Sequence, residues 1–173
     1  MPFDHDVYKK RFDEYAKEGL IVKSTQSFKI KLFLQKAESS LLIAKHHQEI
    51  TPSKDEPPKI YWRYWAITIS YYAMLYAAKA AILTKGYEVK DHHAAQVALG
   101  ALFVPGKMEQ EDLELLNQAH KIFEDEYVKY FEDARKESHT ARYQARPSYT
   151  ERQVDTIFEN ATKFIAKINL LLS

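Results

Sequence analysis

Residues 60–85 read IYWRYWAITISYYAMLYAAKAAILTK. Between Arg63 and Lys79, fifteen consecutive positions (64–78) carry no charge, and apolar side chains would fall on every side of a helix built from them. Such a segment is predicted to be the central helix of a bundle, ending at Lys85 and Gly86, where glycine can take the left-handed C-terminal conformation. Ser70, Ala73, Ala77 and Ala81 recur at steps of three and four, a small-residue seam that lets another backbone approach closely. Trp62, Trp65, Tyr71, Tyr72 and Tyr76 supply bulk on the other sides. The charge-free run is shorter than the roughly 18–20 residues that span a bilayer, so a soluble core helix is expected and no membrane.

On either side of this segment the apolar period is helical nearly everywhere. A short helix is predicted from Asp6 to Lys17, with Tyr8, Phe12 and Tyr15 on one side. A longer one follows over 27–48, where Ile30, Leu34, Ala37, Leu41 and Ala44 form a single stripe. Segment 49–60 is polar and holds three prolines, which makes it a connection within one bundle. Asp91 can cap a helix over 92–103, and Pro105 with Gly106 then breaks it. Residues 109–143 turn Leu113, Leu116, Phe123, Tyr127, Tyr130 and Ala134 inward, and Pro147 lies in the break that follows. Thr150 and Gln153 read as a capping box for the last helix, 151–172, with Val154, Ile157, Ala161, Ile165, Ile168 and Leu172 as its buried stripe. The expectation is an all-α fold: an up-and-down four-helix bundle over 27–173, preceded by a short helix and lead-in over 1–26.

Composition agrees. Of 173 residues, 46% are hydrophobic and 28% charged, which excludes a disordered chain. Four Gly and six Pro are too few for a many-stranded sandwich or barrel. A formal charge of +1 argues against a protein whose main task is to coat nucleic acid or an anionic membrane. With no Cys there is no disulfide, thiolate metal site or cysteine nucleophile, and a reducing compartment fits. The opening MPFDHD lacks the basic and apolar regions of a signal peptide, so a cytoplasmic location is expected.

The balanced charge is unevenly placed. Residues 109–126 hold seven acids against Lys121, net −6; residues 134–152 hold five Arg or Lys against Glu137 and Glu151, net +3. Arg135, His139, Arg142 and Tyr143 are spaced four, three and one apart, which puts them on one helix face beside Lys136, with Arg146 following. A His there can exchange a proton with a ribose hydroxyl, and Arg can hold a phosphate as its charge grows in a transition state. The plainer reading is a solvated, basic helix end. The pairs His46-His47 and His92-His93 point about 100° apart on a helix and read as surface residues, so no metal site and no cofactor are expected. Walker, zincin and nucleophile-elbow motifs are absent, as is the paired Glu-x-x-His of di-iron bundles.

The stretch from Ser70 to His92 resembles the second long helix and following turn of HEPN domains (higher eukaryotes and prokaryotes nucleotide-binding). Lys36-Ala37-Glu38-Ser39-Ser40-Leu41 is similar to the first bundle helix of an archaeal and bacterial branch, and His139 with Tyr143 to its C-terminal part. The resemblance covers about 27–172. It implies a four-helix bundle, commonly a homodimer, often paired with a minimal nucleotidyltransferase in a toxin–antitoxin arrangement and binding nucleotide or RNA. Many relatives are metal-independent ribonucleases that use Arg, four to six residues, then His in a cleft between protomers, and in some pairs a tyrosine after that His is adenylylated. By that analogy His139 and Arg135 are the candidate catalytic pair, Arg142, Arg146 and Lys136 the phosphate-binding residues, and Tyr143 the modification candidate. Here three residues separate Arg135 from His139, and Tyr143 lies four after it. Two readings therefore stand side by side: an RNase, and a binding or protein-interaction module without catalysis.

Overall fold

The computed structural model describes residues 3–104, 106–137 and 151–173. Among them are six helices, α1 (His5–Lys17), α2 (Phe28–Glu49), α3 (Lys59–Thr84), α4 (His92–Phe103), α5 (Gln110–Glu137) and α6 (Glu151–Leu172). The fold is all-α, a helical bundle of α2, α3, α5 and α6 with α1 and α4 added. The helix ends follow local chemistry. The Asp4 carboxylate accepts from the backbone N–H groups of Asp6 and Val7 at the start of α1, and Asp91 does the same for Ala94 N–H at the start of α4, at 2.8 Å. After Thr84 the chain turns at Gly86, whose φ of 79° is open to glycine at little cost.

The arrangement follows from α3. Ala66, Ala73, Met74, Ala77, Ala78, Ala80, Ala81 and Ile82 are wholly buried, because α2, α4, α5 and α6 all pack against this one helix. The small-residue seam of Ser70, Ala73, Ala77 and Ala81 is thus used inside the protomer and is not left open for a second chain. By length and composition Tyr61–Thr84 would reach across a membrane, beyond what the charge-free run alone suggests, but 67% of that apolar window is buried inside the bundle. It is the core helix. α6 supplies its predicted stripe, with Val154, Ile157, Ala161, Ile165 and Ile168 buried, and α5 contributes Leu113, Leu116 and Ala119.

A two-stranded antiparallel ribbon, β1 (Ile21–Lys23) with β2 (Tyr87–Val89), departs from the purely helical expectation. Three residues per strand are too few for a period-two signal to stand out. Ile21 pairs with Val89 and both are buried; Glu88 accepts a short hydrogen bond from Ser24 Oγ and an ion pair from Lys29 Nζ at 3.0 Å. Those two partners, Ser24 first, hold the Glu88 carboxyl below the usual range. The ribbon ties the segment after α1 to the turn before α4.

α1 then lies on α4. The Tyr8 ring sits against Gly100, where no Cβ stands in its way, and stacks on Phe3 with centroids 4.8 Å apart. A methyl group at Gly100 would overlap that ring. Overpacking costs about 1–3 kcal/mol, against a gain of at most ~1 kcal/mol from replacing a helical glycine. Gly100→Ala is therefore expected to lower the melting temperature by roughly 2–6 °C. A variant that melts at or above the wild-type temperature would show that α1 does not dock on α4 in this way.

Candidate functional site

Three helices bring a polar cluster together at one edge of the core. Asp91 caps α4, so His92 and His93 occupy its first turn. On α5 the inward positions run Leu113, Leu116 and then His120, which takes a core position and is only 6% exposed. The rings of His92 and His120 stand 3.8 Å apart between centroids, those of His92 and His93 4.1 Å, and those of His93 and His120 5.3 Å. From α3, Tyr71 stacks against His120 at 5.6 Å and nearly parallel to Phe123 at 4.6 Å, and Tyr72 meets Phe123 edge-on. Glu124, one turn beyond His120, places Oε1 3.1 Å from His120 Nε2 and 3.9 Å from His92 Nε2.

Burial governs the protonation states. It lowers the pKa of His92 and of His120; the neighbouring imidazoles push in the same direction, and Glu124 works against both. The buried rings are thereby biased to the neutral form, a donor of a lone pair as well as of a proton. Burial also raises the Tyr71 pKa, helped by Tyr72 and by the carboxylates of Glu124 and Asp91, so Tyr71 remains a neutral phenol. His92 Nε2, both ring nitrogens of His120 and the Tyr71 hydroxyl are shielded from solvent without a well-aligned hydrogen bond; the nearest acceptor to His120 Nε2 is the Glu124 carboxylate at 3.1 Å.

The expectation that His92 and His93 would sit apart on the surface is corrected for His92, which is half-buried, whereas His93 is exposed. Adjacent residues do leave a helix in different directions, but here a third ring from α5 draws both toward it. That ring lies 27 positions along the chain (120 − 93), and only its place in the Leu113–Leu116 stripe could have marked it. The pair His46-His47 shows no comparable gathering: His47 Nδ1 bonds the Ile43 carbonyl of its own helix at 2.8 Å. A separate cavity of about 670 Å³ lies between the start of α1 and α5, rimmed by Asp4, Asp6 and Glu114, a charge unsuited to a phosphate.

Of the residues that the sequence singles out for phosphate chemistry, Arg135 and Lys136 belong to the last turn of α5. His139, Arg142, Tyr143 and Arg146, like Thr150 of the expected capping box, lie outside the described residues. The HEPN domain family model matches residues 59–171, from the start of α3 to the last turn of α6. The chain belongs to the HEPN domain family. No curated protein matches it. The HEPN match takes in the histidine cluster and the basic segment alike, and leaves α1 and α2 outside.

The environment of Tyr71 in this HEPN core leads to a specific expectation. A buried hydroxyl without a partner contributes nothing that a phenyl ring would lose. Tyr71→Phe should keep stability within about 0.5 kcal/mol of wild type or raise it, while Tyr71→Ala should cost about 3–5 kcal/mol through the cavity it leaves. Urea denaturation of the two variants measures both. A large loss in Tyr71→Phe would mean that the hydroxyl holds a bond after all.

Proposed function

We propose that this HEPN protein binds a nucleotide or single-stranded RNA through the basic segment 134–152 and acts beside a minimal nucleotidyltransferase, in the cytoplasm, as half of a toxin–antitoxin-type pair. The observation that carries the reading is the family match, which includes that segment. Its net charge of +3 stands apart from the run of −6 over 109–126, so the polyanion-attracting charge is confined to one stretch of the chain. Arg142 and Arg146 supply guanidinium forks that fit phosphate oxygens in pairs, and Lys136 adds a point charge.

The second reading is a metal-independent endoribonuclease. It is favoured by the four-residue step from Arg135 to His139, which on a continuing helix brings a general acid/base and a phosphate-stabilising cation to one side. A homodimer belongs to either reading. With the small-residue seam buried within the protomer, a surface that could serve it is the aromatic stripe Tyr61, Trp65 and Tyr72, which α3 exposes.

The test uses labelled single-stranded RNA and ATP in the presence of a chelator. Wild type should bind, with affinity falling steeply as salt rises, and Arg142→Ala and Arg146→Ala should each weaken binding severalfold. If RNA is also cleaved, His139→Ala should slow cleavage about a hundredfold or more and Arg135→Ala should slow it too. Binding unchanged in both arginine variants would remove segment 134–152 from the reading. Cleavage undiminished in His139→Ala would assign the activity elsewhere. A small nucleotidyltransferase encoded in the neighbouring reading frame is expected, and its co-expression, followed by mass spectrometry of Tyr143, tests the partnership; no such frame, or no complex and no modification, would sink it. A solution mass of one chain at micromolar concentration would remove the dimer.

A further inference from the structure

We infer that His92, His93, His120 and Glu124 form a binding site for a divalent transition metal of the Zn²⁺ class, clamping the first turn of α4 to the middle of α5. The site is independent of the phosphate-binding reading: Glu124 and Arg135 are eleven residues apart on α5 (135 − 124), about 16 Å of helix.

The donor set comes first. The three imidazoles each offer a ligand atom, and these atoms lie within 4.8 Å of one another. Glu124 Oε1 approaches the Nε2 atoms of both His92 and His120, so a carboxylate oxygen completes three nitrogens. Three imidazoles and one carboxylate oxygen are a set that Zn²⁺ takes in tetrahedral geometry, at about 2.0–2.2 Å per bond. Tetrahedral bonds of that length put donor atoms about 3.3 Å apart, so the widest pair must close by roughly 1.5 Å. His93 and Glu124 are exposed and can move by that much through side-chain rotation alone, while His120 is held by Tyr71.

Unsatisfied atoms provide the second argument. A buried polar nitrogen without a partner costs roughly 1–3 kcal/mol, and the cluster holds three of them, His92 Nε2 and the two of His120. The half-buried His92 ring and the buried His120 ring, tilted by 40° with centroids 3.8 Å apart, have no proton to share that would satisfy all three. A cation between them would engage one lone pair from each ring.

The surrounding field favours a cation. Residues 109–126 carry a net charge of −6, and Asp91 stands immediately before His92. These carboxylates oppose the positive end of the α4 dipole, which otherwise disfavours a metal at a helix N-terminus. They also give the acidic run of α5 a role other than a solvated face.

The experiment uses the full, untagged chain stripped with a chelator, then titrated with Zn²⁺ by calorimetry and with Co²⁺ by visible absorption. One Zn²⁺ per chain should bind with micromolar or tighter affinity and raise the melting temperature, and Co²⁺ should show the intense bands of a tetrahedral site. His93→Ala removes an exposed ligand that the fold does not need, and should weaken Zn²⁺ at least tenfold with unchanged circular dichroism. Glu124→Gln should weaken it less and alter the Co²⁺ spectrum. His120→Ala should abolish binding; because it opens the core, His93→Ala decides if that variant does not fold. Replacing both His46 and His47 with Gln should leave binding as in wild type. Weak or multi-site Zn²⁺ uptake, an octahedral Co²⁺ spectrum, or wild-type affinity in His93→Ala would each overturn the site.

Discussion

A helix that is apolar on every side must be covered on every side, and α3 is such a helix. Each neighbour can be read as an answer to that demand. α2 and α6 lie along it, α5 and α4 close the remaining sides, and alanines at 73, 77 and 81 set how closely the backbones approach. Burial of this kind is favourable in proportion to the area removed from water, so the bundle is organised by one segment more than by any single contact. Where the cover is incomplete, toward the N-terminal half of α3, Tyr61, Trp65 and Tyr72 remain at the surface.

Most of that was legible in the sequence because long helices repeat their signal. α6 shows six apolar positions in register, α2 five, and the cap at Asp91 lies where the sequence expects it, just before an apolar period. The ribbon was not legible. Its strands are three residues long, and its pairing joins Ile21 to Val89 across 68 positions (89 − 21), a contact that only the docking of α1 on α4 creates. The histidine cluster escaped for a related reason. Adjacent His92 and His93 look divergent when α4 is considered alone, and His120 looks like a polar interruption in an otherwise apolar stripe. The relation among them is tertiary. Charge was the reverse case: the acidic and basic halves of segment 109–152 are plain in the sequence, and the acids gain meaning only once three imidazoles are placed beside them.

The HEPN match begins at Lys59, yet the helix that does most to cover α3 from outside that range is α2. Family resemblance and physical self-sufficiency therefore have different limits here. The matched segment contains the helix that needs covering and three of its covers, α4, α5 and α6, whereas Ala37 and Ala44, both wholly buried on α2, supply part of the wall from upstream.

The docking of α1 on α4 also sets an order of events during synthesis. The last residue of α1 is made 86 positions before the last residue of α4 (103 − 17), and the seat for Tyr8 at Gly100 does not exist until then. At about 5–20 residues per second, α1 waits roughly 4–17 seconds after leaving the ribosome with Tyr8, Phe12 and Tyr15 uncovered. A thirteen-residue helix is marginal alone in water, so for that interval the segment is an unfolded, aromatic-bearing chain of the sort that holding chaperones recognise. α1 is thus secured only after α2, α3 and α4 have been made, and the interval before it docks is the segment's window of exposure to aggregation.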